Sequence, residues 1–181
     1  MSKLIVITGG LATLKTTISK QIAQDLGILC VNKDDIKATL VDVIGFTSRE
    51  ENKKLSVAAV STMIEIAKQA RLANISLILE ANFKKQELEN IQDTTNYSID
   101  DILTIFLFAD EKVLYERYVD RQSKRHIAHT STGLLPFDVF KASLKEHQLD
   151  DCIGKVITCD TTIFTKENYT SLIEQIKQQL K

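Results

Sequence analysis

The chain has 181 residues, the size of one compact domain that buries a core without disulfides or metal staples. Hydrophobic residues make up 44% and charged residues 26%, which excludes intrinsic disorder, collagen-like repeats and coiled-coil rods as descriptions of the whole chain. With 23 basic and 24 acidic side chains the formal net charge is −1, so a broadly basic surface for nucleic acid is not expected.

The chain opens on a four-residue apolar run, Leu4–Ile7, too short for a secretory or membrane-spanning segment, and closes it with Gly9-Gly10. This predicts a buried first strand and a tight turn. Ile18, Ile22 and Leu26 then recur at a spacing of four, one apolar helix face ended by Gly27 as C-terminal cap. The run Ile28–Asn32 reads as strand two, and a helix is expected to start at Lys33-Asp34-Asp35. Ser48 followed by Glu51 is a capping-box spacing, so a long helix should run to about Leu72, with Leu55, Ala59, Met63, Ile66 and Ala70 on its apolar side.

Ile75–Phe83 reads as strand three, ending in polar Glu80, Ala81 and Asn82, with a weaker helix over about 85–93. Ile102–Phe108 is strand four, and Asp110 is placed to cap a helix containing Val113, Leu114, Arg117 and Tyr118. A basic stretch follows, then Pro136, the only proline, opens another helix. Lys155–Asp160 is strand five, and 166–180 a closing helix. Five non-alternating apolar strands separated by helices predict a parallel sheet covered on both faces, one α/β domain over 1–181. Three cysteines, Cys30, Cys152 and Cys159, form no C-x-x-C pair, and a cytoplasmic protein without membrane or disulfide is expected.

Such sheets bind ligands at the carboxyl ends of their strands. After strand one stands Gly9-Gly10-Leu11-Ala12-Thr13-Leu14-Lys15-Thr16-Thr17, which nearly matches the P-loop pattern G-x-x-x-x-G-K-S/T. Backbone N–H groups of such a loop curl around phosphates, the lysine neutralises them and the next hydroxyl ligates magnesium. Leu14 stands where the second glycine belongs, and a positive φ there costs a leucine about 1–2 kcal/mol. Asp34 follows strand two as a candidate base or a plain helix cap, Asp35 as a cap or a solvated charge, and Glu80 and Asn82 follow strand three. Arg117, Arg121 and Arg125 recur at a spacing of four, one helix face, which for Arg117 reads as a solvated one. His126 and His129 lack further ligands that would make a zinc site.

Four stretches together, GGLATLKTT, VNKDDIK, LILEANF and ERYVDRQSKRH, resemble small P-loop kinases of the group of predicted AAA-type kinases, the polynucleotide 5′-kinase domain, zeta-toxin-like kinases and chloramphenicol phosphotransferase. The resemblance implies a P-loop NTPase fold, with five parallel strands in the order 2-3-1-4-5, and a lid around residues 121–133. It implies that Lys15 binds the β- and γ-phosphates of ATP, Thr16 and Glu80 serve Mg2+, and Asp34 takes the proton of a hydroxyl acceptor. Lys37 and Asn82 would hold that acceptor, Arg121 and Arg125 would close over the transferring phosphoryl group, and Asp160, Thr161 and Thr162 would lie beside the nucleotide base. The expected activity is transfer of the γ-phosphoryl group to a small hydroxyl compound. The alternatives are a polynucleotide 5′-hydroxyl kinase, which the net charge of −1 disfavours, and a nucleotide-binding protein without catalysis because of Leu14.

Overall fold

The computed structural model describes residues 2–130 and 133–180. Residues 131 and 132, within the expected lid, lie outside the described part, as do the two terminal residues. The five apolar runs become strands β1 (Leu4–Gly9), β2 (Leu29–Asn32), β3 (Leu77–Glu80), β4 (Ile102–Phe108) and β5 (Lys155–Asp160). All neighbouring strands pair in parallel, in the order β2-β3-β1-β4-β5. The helices are α1 (Lys15–Leu26), α2 (Lys33–Ile44), α3 (Arg49–Leu72), α4 (Lys85–Thr94), α5 (Glu111–Gln122), α6 (Phe137–Leu144) and α7 (Lys166–Gln179).

The two-residue period of a strand divides the core. Leu4 and Val6 of β1 join Leu77 and Leu79 of β3 on one face, packed against Val60, Met63, Ile64 and Ala67 of α3 and Leu88 and Ile91 of α4. Ile5 and Ile7 join Ile78, Ile105 and Leu107 on the other, against Ile18 and Ile22 of α1 and Leu172, Ile173 and Ile176 of α7. Each buried aliphatic contributes roughly 1.5–3 kcal/mol relative to exposure. The central strands are buried on both faces, as their sequence predicts. The outer strands are not: Val156 is 41% and Leu29 62% exposed, because an edge strand has a neighbour on one side only.

Local chemistry sets the boundaries. Gly27 caps α1 with φ 64°, its N–H donating to the Ala23 carbonyl. Asp110 caps α5 by accepting from the N–H groups of Lys112 and Val113. Ser48 caps α3 by accepting from Glu51 N–H, but the Glu51 carboxylate reaches back one residue further than a capping box requires, to the N–H and hydroxyl of Thr47. The buried stripe of α3 drifts to Val60, Ile64 and Ala67, leaving Ile66 and Ala70 at its margin. Helix α2 starts at Lys33, and its cap is Asn32: the Asn32 Oδ1 accepts from the N–H groups of Asp34 and Asp35. Neither aspartate is therefore the cap, and both side chains project from the first turn. Helix α5 ends at Gln122, so Arg125 lies in the following turn rather than on the helix face of Arg117 and Arg121.

Candidate active site

The loop between β1 and α1 folds around two residues in the left-handed region, Ala12 (φ 64°) and Leu14 (φ 63°, ψ 16°). The position where the pattern places glycine thus does take a positive φ, and a leucine occupies it. Its side chain packs against the cluster that includes Ile18 and Ile7, which offsets part of the backbone penalty. Gly9, with φ 135°, passes so close to the Leu107 carbonyl of β4 that any Cβ would collide with it. A Cβ on Gly10 would meet Leu144 of α6 at 2.7 Å.

Residues 11–17 of this loop and α1 line a cavity of about 430 Å³ with Asp34, residues 80–82, Arg117, Asp120, Arg121, Lys124 and Arg125. Three strand ends and the end of α5 therefore deliver side chains to one place. Lys15 donates from Nζ to the carbonyls of Gly9 (3.0 Å) and Gly10 (2.6 Å), and lies 3.3 Å from the Thr13 hydroxyl. Burial pulls its ammonium down to about 8, with Glu80 opposing and Arg121 adding to the shift.

Glu80 ends β3 and is only 4% exposed. Burial pushes its carboxyl up to about 7 against the pull of Lys15. Its Oε2 accepts from the Thr16 hydroxyl at 3.1 Å and from Asn32 Nδ2. Asn32 and Glu80 are paired partners in the β2–β3 register, so the sheet itself brings them together. The Asn32 amide is thus oriented from both ends, its oxygen capping α2 and its nitrogen holding Glu80. The pair formed by Thr16 and Glu80 offers hard oxygen donors, a hydroxyl and a carboxylate, which suit magnesium completed by waters and phosphate oxygens.

Asp34 is clamped from the segment after α5. Its Oδ2 accepts from Arg125 Nη2 at 2.8 Å, and its Oδ1 lies 3.6 Å from His129 Nδ1. Burial alone would raise this carboxyl, but His129, Arg125, Lys15 and Lys33 together hold it below the ordinary aspartate value. Arg121 lines the cavity with a buried Nε that has no hydrogen-bond partner among the described residues, and burial beside Arg125 pulls its guanidinium down to about 10. Asn82 lines the same cavity.

Other expected site residues lie elsewhere. Lys37 is 8% exposed, does not line this cavity, and donates from Nζ to the Ala128 carbonyl at 2.8 Å. Asp160, Thr161 and Thr162 do not line it either. Thr161 donates to the Phe108 carbonyl, the Thr162 hydroxyl accepts from Asp110 N–H, and Asp160 accepts from Thr162 N–H. Arg117, expected on a solvated face, instead lines the cavity and donates from Nη2 to the Thr161 and Thr162 carbonyls at 2.7 and 3.2 Å. It fastens this turn to the cavity wall. Asn32 and His129 were not singled out as site residues from sequence. The sequence offers Asp34 or Asp35 as the cap instead of Asn32, and the bond from Asn32 to Glu80 needs the strand register.

No protein-family model matches the chain, and no curated protein matches its sequence. Solved structures do match its fold. A "putative kinase" from Chloroflexus aurantiacus is 24% identical, with a TM-score of 0.76 over 99% of this chain and 96% of that one. A sugar kinase from Janibacter is 16% identical, with a TM-score of 0.64 over 99% and 95%. A shikimate kinase from Bacteroides thetaiotaomicron is 16% identical, with a TM-score of 0.59 over 98% of each chain. The chain therefore has the fold of the small P-loop kinases, five parallel strands in the order 2-3-1-4-5 with helices on both faces.

Proposed function

We propose that the chain is an ATP-dependent phosphotransferase that moves the γ-phosphoryl group to a hydroxyl of a small molecule. The observation that carries this reading is the placement of Asp34 in one cavity with Lys15, Thr16 and Arg121. A loop that receives phosphate faces a carboxylate that receives a hydroxyl proton. A phosphate acceptor is already an anion and needs no such group. The structural neighbours named as sugar and shikimate kinases support a small hydroxyl acceptor by analogy of fold.

In this reading the loop N–H groups, the α1 N-terminus and Lys15 hold the triphosphate. Thr16 and Glu80 hold magnesium, which when bound neutralises phosphate charge. Asp34 orients the acceptor hydroxyl and takes its proton as the new O–P bond forms and the bond to the departing ADP oxygen breaks. Arg121, whose buried Nε has no hydrogen-bond partner among the described residues, and Arg125 stabilise charge on the transferring group. Asn82 binds the acceptor, and the turn at Asp160–Thr162 borders the base.

Calorimetric titration with ATP and magnesium, with GTP as control, tests the first half. Micromolar, magnesium-dependent binding is expected, and none at millimolar nucleotide overturns the reading. A panel of sugars, nucleosides and other hydroxyl compounds then tests transfer. Asp34→Asn keeps nucleotide binding and loses transfer by roughly 10²–10⁴-fold.

A further inference from the structure

The turn at Ile127–His129 is docked on α2 by contacts that converge from several directions. Ala128 is 1% exposed and packs with Val41 of α2 and Leu55 of α3. Its carbonyl accepts two buried bonds, from Lys37 Nζ at 2.8 Å and Asn52 Nδ2 at 3.1 Å. Its N–H donates to His126 Nδ1, which leaves the other ring nitrogen of His126 to donate to Asp42 at 2.9 Å. Asp34, Lys37 and Val41 are spaced three and four apart, so one face of α2 receives the whole turn. At the near end of that face, His129 (side chain 10% exposed) meets Asp34 Oδ1 while Arg125 meets Oδ2.

We propose that His129 is a positioning residue for Asp34, and that Lys37 and Asn52 anchor the turn that carries it. This rests on the kinase reading for its functional consequence, but the contact itself does not. A carboxylate on the first turn of a helix has free rotamers, and the Asp34 side chain is 44% exposed. Arg125 bonds one oxygen, and the His129 ring stands 3.6 Å from the other, beyond hydrogen-bond distance, so bond and ring together restrict the carboxylate's rotation while a lone pair on each oxygen stays open to an incoming hydroxyl. Lys37, expected from sequence to touch the acceptor, acts one step back through the Ala128 carbonyl.

Two measurements test this separately from the kinase reading. His129 ring resonances are followed by NMR against pH. The groups facing that ring are Asp34 and Lys37 from α2, and Arg125 and His126 from its own segment. Asp34→Asn removes the facing carboxylate and lowers the His129 midpoint by roughly one pH unit. Asn52→Ala, which changes no charge, loosens the turn and moves the midpoint up toward that of a solvated histidine. Unchanged midpoints in both variants overturn the contact. In the second measurement, Mg·ATP hydrolysis with water as acceptor is compared in wild type and His129→Gln. A roughly tenfold lower kcat at unchanged KM for ATP is expected. An unchanged kcat in an enzyme that binds Mg·ATP overturns the positioning role, whereas absent Mg·ATP binding in the wild type counts against the kinase reading and leaves the NMR result standing.

Discussion

Leu14 shows how a backbone requirement and a side-chain preference trade against each other at a single residue. Its φ of 63° is unfavourable for leucine by about 1–2 kcal/mol, while its side chain packs on the α1 cluster. Leu14→Gly removes the strain, the packing and some unfolded-state order together, so stability should change by less than about 1 kcal/mol in urea unfolding. ATP affinity should change less than about tenfold, because the loop already has the backbone turn that a glycine would provide; a larger gain would show that the natural side chain obstructs the nucleotide. Leu14→Val is the sharper probe, since a β-branched residue tolerates this φ poorly, and a loss of about 1–3 kcal/mol is expected. Glu80 carries the second prediction at this scale. Its carboxyl titrates at about 7 in the fold against 4.5 ordinarily, so the unfolded chain releases that proton first as pH rises. Glu80 therefore subtracts stability progressively from about pH 4.5 to 7. In metal-free buffer, Glu80→Gln should raise Tm by a few degrees at pH 8 and not at pH 4.5. The buried His129 and His147 shift stability the opposite way, but they cancel in this difference.

At the scale of elements, the phosphate loop is fixed by what surrounds it as much as by its own sequence. Gly9 abuts the backbone of β4, and Gly10 abuts the tip of a leucine on α6. Backbone cannot yield, and a leucine tip can. Gly9→Ala should therefore lower stability by about 3 kcal/mol or more. Gly10→Ala should be milder, and Leu144→Ala should recover part of its loss in a double-mutant cycle; purely additive effects would show that the two do not meet. The same contrast explains what the amino-acid sequence reveals. Strands, helices and caps follow from short-range patterns, so Gly27, Asp110 and Ser48 were all legible. Asn32 against Glu80, and His129 against Asp34, join residues 48 and 95 positions apart, and no local pattern encodes them. Arg117 follows the same rule: its spacing also fits a solvated face, but the carbonyls it serves come from the end of β5.

For the whole molecule, the parallel sheet gathers its polar residues at one edge and leaves two apolar faces for helices. No helix among the described residues is long and apolar enough to cross a membrane. Because nucleotide binds only the folded chain in the proposed function, saturation at about a hundred times Kd should add about 2.7 kcal/mol. For a chain of this size that corresponds to a rise in Tm of roughly 5–10 °C with Mg·ATP. ATP without magnesium should give a smaller shift, and equal shifts would remove the metal from the scheme. The amide of Asn32 spans the gap between the start of α2 and the carboxylate at the end of β3. Shortening Glu80 to aspartate withdraws that carboxylate by a methylene, and exchanging Asn32 for aspartate turns a donor into a second anion. A change at either position therefore acts on both sides of one contact, and positions 32 and 80 are expected to vary together rather than singly.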